Sequence, residues 1–143
     1  MRDSSRESGP GFYARVGHLF VDKAIRKEMG GPLDSNDNYI WLIVFKATTD
    51  EIMAFACLDT GRKPGEAWLD NAYVFPDYRH MGLHTRLTEL RMQMIRHMPG
   101  VTTIKGLATP ASRTQFEAHG FTVASERGQY RVYEKKVDHA ESV

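Results

Sequence analysis

The chain has 143 residues, and its 19 lysines and arginines almost balance its 18 aspartates and glutamates. This length predicts about one domain, and a net charge of +1 gives no overall attraction to nucleic acid or to an anionic membrane. No apolar run reaches the roughly twenty residues that a membrane span needs, and the polar N-terminus is unlike a signal peptide. With one cysteine, Cys57, no internal disulfide can form, so we expect a soluble protein of the reducing cytoplasm.

The predicted organisation is one domain over residues 12–137, preceded by a flexible segment at 1–11 and followed by a polar tail at 138–143. The N-terminal segment contains serine, glycine and mixed charge without periodicity. Residues 13–29 repeat apolar side chains at intervals of four, which predicts a helix that ends at Gly30.

Three apolar runs predict strands in the middle of the chain. Residues 39–46 and 52–58 are almost continuously apolar, and the short turn between them predicts a hairpin. A further turn at 61–65 leads into a third strand at 66–75. Pro76 ends this strand because it has no N–H to donate to a neighbour.

The last third of the chain is predicted to contain another strand, a short helix and a second hairpin. Residues 102–108 have the composition of a strand. Thr109 is placed to cap a helix over 110–119, because proline suits the first helical position and the glycine that follows suits the end. The alternating runs 121–125 and 130–136 flank a turn, which predicts a hairpin. Together these elements predict a mixed sheet of about six strands with helices on both faces.

The most informative stretch is 70–96, where a strand turns through a glycine into an amphipathic helix. This helix is predicted to begin near Met81, with an apolar stripe of Leu83, Leu87, Leu90 and Met94 and an opposite face carrying Arg86, Arg91 and Arg96. The first turn of a helix leaves backbone N–H groups unpaired, and Gly82 lets an oxyanion approach them closely. The turn is therefore predicted to bind phosphate.

The same stretch resembles a known family. It is similar to the acyl-CoA motif of the GCN5-related N-acetyltransferases in the residues Val74-x-Pro76-x-Tyr78-Arg79-x-x-Gly82-x-His84, and Gly120-Phe121 matches that family's closing pair. The resemblance implies an α+β fold of three layers, α/β/α, with a mixed, mostly antiparallel sheet. It also implies an N-acetyltransferase with acetyl-CoA as cosubstrate and no metal. The acceptor would be a primary amine of a small molecule, peptide or protein, which attacks directly.

The resemblance assigns residues to the coenzyme. They are Tyr73, Val74, Arg79, His80, Met81, Gly82, Leu83, His84, Thr85, Ser112 and Phe116. Two of them depart from the family pattern, because His84 stands where the family has Gly or Ala, and Phe116 stands where a Tyr commonly protonates the coenzyme thiolate. Thr109 replaces an Asn that often lines the cofactor.

Asp70 and Glu66 are the candidate catalytic bases. An amine with a pKa of about 10.4 is protonated at neutral pH, so a base or a water must take its proton. Asp70 ranks first because it lies four residues before Val74, and the strand period predicts that both side chains share a face. Glu66 is the alternative and His84 a weaker one. The resemblance implies that a backbone N–H near Val74 meets the developing oxyanion.

Two other functions stay open at this stage. The fold could act on a nucleic acid, through a basic set that neighbouring acids dilute, namely Arg62, Lys63, Arg127, Arg131, Lys135 and Lys136. The departures at Phe116 and His84 also fit a non-catalytic acyl-CoA sensor. His80 and His84 share a helical face but have no third ligand in sequence, so no metal site is predicted. A homodimer is compatible with the sequence, which does not identify the oligomeric state.

Overall fold

The computed structural model of the protein describes residues 2–3, 39–49 and 51–140. One sheet contains the strands β1 (Arg2–Asp3), β2 (Tyr39–Phe45), β3 (Ile52–Asp59), β4 (Glu66–Val74), β5 (Thr103–Ala108), β6 (Thr122–Arg127) and β7 (Tyr130–Lys136). The described helices are α1 (Leu83–Ile95) and α2 (Arg113–Ala118), and a 3₁₀ turn, Pro76–Tyr78, leads from β4 towards α1. The helix predicted at 13–29 lies outside the described residues.

The sheet is mixed and mostly antiparallel, as predicted. Its strand order is β1-β2-β3-β4-β5-β7-β6, in which β4 and β5 run parallel and the other neighbours run antiparallel. The bounds of β2 to β7 agree with the sequence prediction to within about two residues. The short strand β1, which pairs with Leu42 and Ile43 of β2, was not predicted.

Both described helices pack on one face of the sheet. Ile95 of α1 and Phe116 of α2 belong to one apolar cluster with the buried Tyr133. The predicted stripe of α1 is confirmed, because Leu87 is fully buried against β2 and β3, with Leu83, Leu90 and Met94 packed beside it. The described residues contain no helix on the opposite face, where the sequence also predicted helices.

The opposite face of the sheet carries an aromatic cluster. Trp41, Phe55 and Tyr73 are buried there, with ring centroids 5.9 Å apart for the first two and 5.7 Å apart for the last two. Cys57 lies in the same cluster and is fully buried. This burial raises the pKa of its thiol.

A bulge reverses the two faces of β4 near its end. Between two successive ladder pairs, one residue of β3 stands opposite two residues of β4. Asn71 of β4, at this bulge, has a left-handed φ of 47°. Before the bulge, Asp70 lies opposite Cys57 on the aromatic face. After it, Val74 packs on the helix face. The prediction that Asp70 and Val74 face the same way is therefore wrong, because one extra residue shifts the alternation.

The helix α2 begins later than predicted. Thr109 does not cap it, because the Thr109 N–H donates to the Ser112 hydroxyl and the Ser112 N–H to the Thr109 carbonyl, each at 3.0 Å. These bonds form a separate turn ahead of the helix. The end was predicted correctly, since Gly120 has a φ of 83° and the Phe121 N–H donates to the Phe116 carbonyl at 3.0 Å.

Replacing Gly106 of β5 with alanine is expected to destabilise the protein. A Cβ at this position would collide with the Phe116 ring, and overpacking of this kind typically costs about 1–3 kcal/mol. Gly100→Ala is the matched control, because a Cβ there meets no heavy atom within 4 Å. The control should change the free energy of unfolding by less than about 0.5 kcal/mol. Urea denaturation measures both, and equal stability would contradict the tight contact of β5 with α2.

Candidate active site

A cleft of about 770 Å³ opens where β4 and β5 separate. The two strands pair only over Glu66–Trp68 of β4, so the later part of β4 has no ladder on this edge within the described part of the chain. Of the eleven residues predicted to bind coenzyme A, ten line the cleft: Tyr73, Val74, Arg79, His80, Gly82, Leu83, His84, Thr85, Ser112 and Phe116. Met81 does not line it, and its side chain is 62% exposed.

One end of the cleft is formed by the first turn of α1. Gly82 precedes this turn with a φ of 78°, and no heavy atom lies within 4 Å of the place a Cβ would take. The N–H groups of residues 83–85 have no acceptor inside the helix, and they lie at its positive end. Arg79 adds a cation nearby, with its Nε donating to the Val74 carbonyl at 2.8 Å. This end can hold an anionic group such as a phosphate.

His84 lies between this turn and α2. Burial lowers the pKa of His84, the Arg91 cation lowers it further, and a hydrogen bond with Gln115 acts in the opposite direction. The imidazole is therefore neutral at neutral pH. Next to it, the Thr85 hydroxyl donates to the Gln115 side-chain oxygen at 3.4 Å, which joins α1 to α2 beside the cleft.

The opposite wall of the cleft is apolar where α2 faces it. Phe116 stacks on Tyr133 with ring centroids 5.4 Å apart and an interplanar angle of 9°, and it meets Phe121 edge to face at 5.3 Å. The ring is therefore fixed by the core as well as exposed to the cleft. A phenyl group has no proton to donate, so this wall contributes shape and apolar surface.

Asp70 is among the residues that line the cleft, and its carboxylate belongs to an ion-pair network. The Arg62 guanidinium donates to its carboxylate at 2.6 Å and also pairs with Asp59 at 3.4 Å. Burial raises the pKa of Asp70, and the charge of Arg62 partly opposes this rise. A carboxyl group with a raised pKa suits proton transfer near neutral pH better than an exposed one.

Glu66, the alternative base, does not line the cleft. Its carboxylate accepts from Lys105 at 2.8 Å and from the indole N–H of Trp68 at 3.2 Å. The hydrogen bond from Lys105 lowers the pKa of Glu66. Glu66 is therefore both farther from the cleft and a weaker base than Asp70.

Arg91 was predicted on the solvent face of α1, and that prediction is wrong. Its side chain is only 2% exposed and lines the floor of the cleft. Burial lowers the pKa of Arg91 to about 10, which leaves it charged at neutral pH. The signal in the sequence is a second stripe, His84, Thr88 and Arg91, spaced four and three apart beside the apolar stripe. Arg86, by contrast, is exposed as predicted.

The binding chemistry of the cleft consists of backbone N–H groups, cations and apolar surface. Among residues 39–49 and 51–140 no group of three or more His, Cys, Asp or Glu side chains could hold a metal ion. Neither α1 nor α2 is long and apolar enough to cross a membrane.

A comparison with protein-family models identifies the family of the chain. The model of the acetyltransferase (GNAT) family matches residues 18–121, which is more than half of the chain. The chain belongs to this family. The reaction class of the GNAT family is acetyl transfer from acetyl-CoA. No curated protein sequence matches the chain significantly.

Solved GNAT structures have the same fold as this chain at low sequence identity. The ribosomal-protein-S18-alanine N-acetyltransferase of Escherichia coli has a TM-score of 0.64 at 19% identity, covering 82% of this chain and 86% of its own. Escherichia coli ElaA has a TM-score of 0.72 at 14% identity, with coverage of 94% and 97%. Arabidopsis thaliana NAA60, in complex with a bisubstrate analogue, has a TM-score of 0.69 at 10% identity, with coverage of 89% and 95%.

Replacing Arg62 with methionine is expected to raise the pKa of Asp70 further. The guanidinium charge that lowers the pKa is lost, while the burial that raises it stays. An NMR titration of the Asp70 carboxyl carbon measures the change. Arg86→Met is the matched control, because Arg86 pairs only loosely with Glu89 on the surface of α1, at 3.9 Å. An unchanged pKa in Arg62→Met, or an equal rise in the control, would contradict the ion pair.

Proposed function

We propose that this GNAT protein transfers the acetyl group of acetyl-CoA to a primary amine of a small molecule, a peptide or a protein by direct attack. The observation that carries the proposal is the cleft between β4 and β5, which ends at the positive first turn of α1. Family membership supports the class of reaction. A cytoplasmic location is part of the proposal, because a free buried thiol and an acyl-CoA cosubstrate suit a reducing compartment.

The cleft suggests how the coenzyme would be held. Its pyrophosphate would accept hydrogen bonds from the N–H groups of residues 83–85. The positive charge of Arg79 would attract the same group. The pantetheine arm would follow the edge of β4 that has no strand partner in the described residues, where backbone groups can bind its amides. The thioester would then lie near Val74, beside the bulge and within reach of Asp70.

The reaction requires one proton to leave the amine and one thiolate to leave the acyl group. The amine nitrogen attacks the thioester carbonyl carbon, a C–N bond forms, and the C–S bond breaks as the sulfur takes the electron pair. Asp70 takes the amine proton, either directly or through a water. Phe116 cannot protonate the leaving sulfur, but a thiol with a pKa of about 8.5 is a fair leaving group near neutral pH.

The contacts of the basic residues favour this function over action on a nucleic acid. Arg62 is paired with Asp70 and Asp59, and Arg131 lies 3.2 Å from the Glu126 carboxylate. Lys135 donates at 2.9 Å to the backbone carbonyl of His119, the residue that follows α2. Cations engaged in this way present no continuous positive surface to a phosphate backbone.

Replacing Gly82 with glutamate is expected to abolish stabilisation by coenzyme A. At about a hundred times its dissociation constant, a ligand stabilises a protein by roughly 2.7 kcal/mol, which thermal unfolding detects as a rise in Tm. A Cβ at Gly82 would meet no heavy atom within 4 Å, although the φ of 78° makes any side chain there strained, and the glutamate charge would occupy the phosphate site.

Gly128→Glu is the matched control for this experiment. Gly128 also has a positive φ, 61°, and open space around a Cβ, so the substitution carries a similar backbone strain and the same charge. It lies in the turn between β6 and β7 and does not line the cleft. Coenzyme A should still raise the Tm of this variant. An undiminished rise in a folded Gly82→Glu protein would contradict the assigned phosphate site.

Replacing Asp70 with asparagine is expected to lower kcat by about 10²–10⁴, the usual contribution of a general base. Coenzyme A binding should be unchanged, and raising the pH should partly restore turnover, because more of the amine is then neutral. Steady-state kinetics over a panel of amines measures this, with the exposed Asp77→Asn as control. Wild-type turnover in Asp70→Asn would transfer the role to water. Coenzyme binding by the natural protein without turnover of any amine would favour the hypothesis of a non-catalytic acyl-CoA sensor.

A further inference from the structure

Arg91 carries a buried charge, and its hydrogen-bond acceptors are all neutral groups. Its Nη1 donates to the carbonyls of Cys57 at 2.9 Å and Asp70 at 3.2 Å. Its Nε donates to the Leu87 carbonyl at 3.3 Å and its Nη2 to the Thr88 hydroxyl at 3.4 Å. None of these acceptors is a carboxylate. A cation buried in this way is costly, so its position needs a reason beyond the packing of α1.

The two carbonyls that Nη1 binds lie on different strands, directly beside the bulge. Cys57 of β3 and Asp70 of β4 form the ladder pair after which β4 has its extra residue, Asn71. A bulge interrupts the regular hydrogen bonds of a ladder. By donating to one carbonyl on each side, the Arg91 guanidinium fixes the two strands to α1 at the point where β4 changes direction.

The direction of β4 beyond the bulge determines which of its N–H groups face the cleft. The Phe75 N–H points to β3, because it donates to the Met53 carbonyl at 3.0 Å. Successive N–H groups along a strand point to opposite edges, so the Val74 N–H points away from β3 and into the cleft. The bulge that Arg91 holds therefore determines the direction of the Val74 N–H group.

We propose that Arg91 is a positioning residue for acyl transfer, which holds the β4 bulge so that the Val74 N–H is directed at the thioester oxygen. The inference rests on the proposed function, because it assigns a role in acyl transfer to a residue of the same cleft. The positive charge of Arg91 also lines the cleft in which negative charge would develop on the oxygen and then on the sulfur, and preorganised charge of this kind favours the transition state.

Arginine suits this task better than lysine. One planar group reaches two carbonyls on neighbouring strands while its other nitrogens bind α1, and its geometry is rigid. Lysine would keep the charge but place it on a single nitrogen at the end of a flexible chain. Methionine would fill much of the volume and remove both the charge and the donors.

The test is the infrared spectrum of bound acetyl-CoA labelled with ¹³C at the acetyl carbonyl, recorded for the natural protein and for Arg91→Met, Arg91→Lys and the control Arg86→Met. A hydrogen bond to the thioester oxygen lowers the carbonyl stretching frequency. We expect this lowering in the natural protein and the control, its loss in Arg91→Met, and a partial loss in Arg91→Lys. The dissociation constant of coenzyme A should change by less than about threefold, because the phosphate end of the cleft is untouched.

Kinetics give a second readout. The kcat of Arg91→Met should fall by up to about a hundredfold with a small change in KM, since loss of an oxyanion donor costs about 10²–10³. A folded Arg91→Met protein that keeps the lowered carbonyl frequency would overturn the proposal. Loss of coenzyme A binding together with the frequency shift would also overturn it, because Arg91 would then support the whole helix. If Arg91→Met does not fold, Arg91→Lys decides on the same two measurements.

Failure of the proposed function gives a different result. In that case the natural protein itself either does not bind coenzyme A, so that no variant gives a carbonyl signal, or binds it without turnover of any amine. A natural protein that binds acetyl-CoA without lowering the carbonyl frequency would keep the cleft assignment and overturn the role of Arg91.

Discussion

The structure depends on the separation of β4 from β5 within an otherwise continuous sheet. The two strands share only a three-residue parallel ladder, and β5 keeps its place because it pairs along its whole length with β7. Helices α1 and α2 cover the opening on one face and meet through Thr85 and Gln115. An unpaired edge inside a sheet is normally filled by another strand. Under the proposed function the occupant is the extended pantetheine arm of the coenzyme, whose amides can take the place of a strand.

Much of this architecture could be predicted from the sequence because local patterns determine it. Apolar runs separated by turns gave β2 to β7, and a four-three-four spacing gave the buried stripe of α1. The bulge could not be predicted, because one inserted residue, Asn71, changes neither composition nor hydrophobicity, yet it reversed the relation of Asp70 to Val74. The burial of Arg91 was missed for a related reason. Arginine is usually exposed, and its burial here depends on carbonyls of two strands that are distant from it in sequence.

The two acids of β4 show how surroundings rather than residue type decide a role. Glu66 and Asp70 lie before the bulge on the same strand, and the sequence offered both as bases. Lys105 and Trp68 hold Glu66 as a carboxylate of lowered pKa outside the cleft. Burial raises the pKa of Asp70 although the Arg62 guanidinium contacts it. Desolvation outweighs the ion pair at Asp70, and hydrogen bonding outweighs desolvation at Glu66.

The buried position of Cys57 has a practical consequence for studying catalysis. It is the chain's single cysteine, it is fully enclosed by the aromatic cluster, and its raised pKa keeps it as the unreactive thiol. A thiol-reactive dye added to the folded protein therefore has no protein group to label. Any colour that develops during turnover would report only the sulfhydryl released from the coenzyme, so acyl transfer can be followed continuously and without a background from the protein.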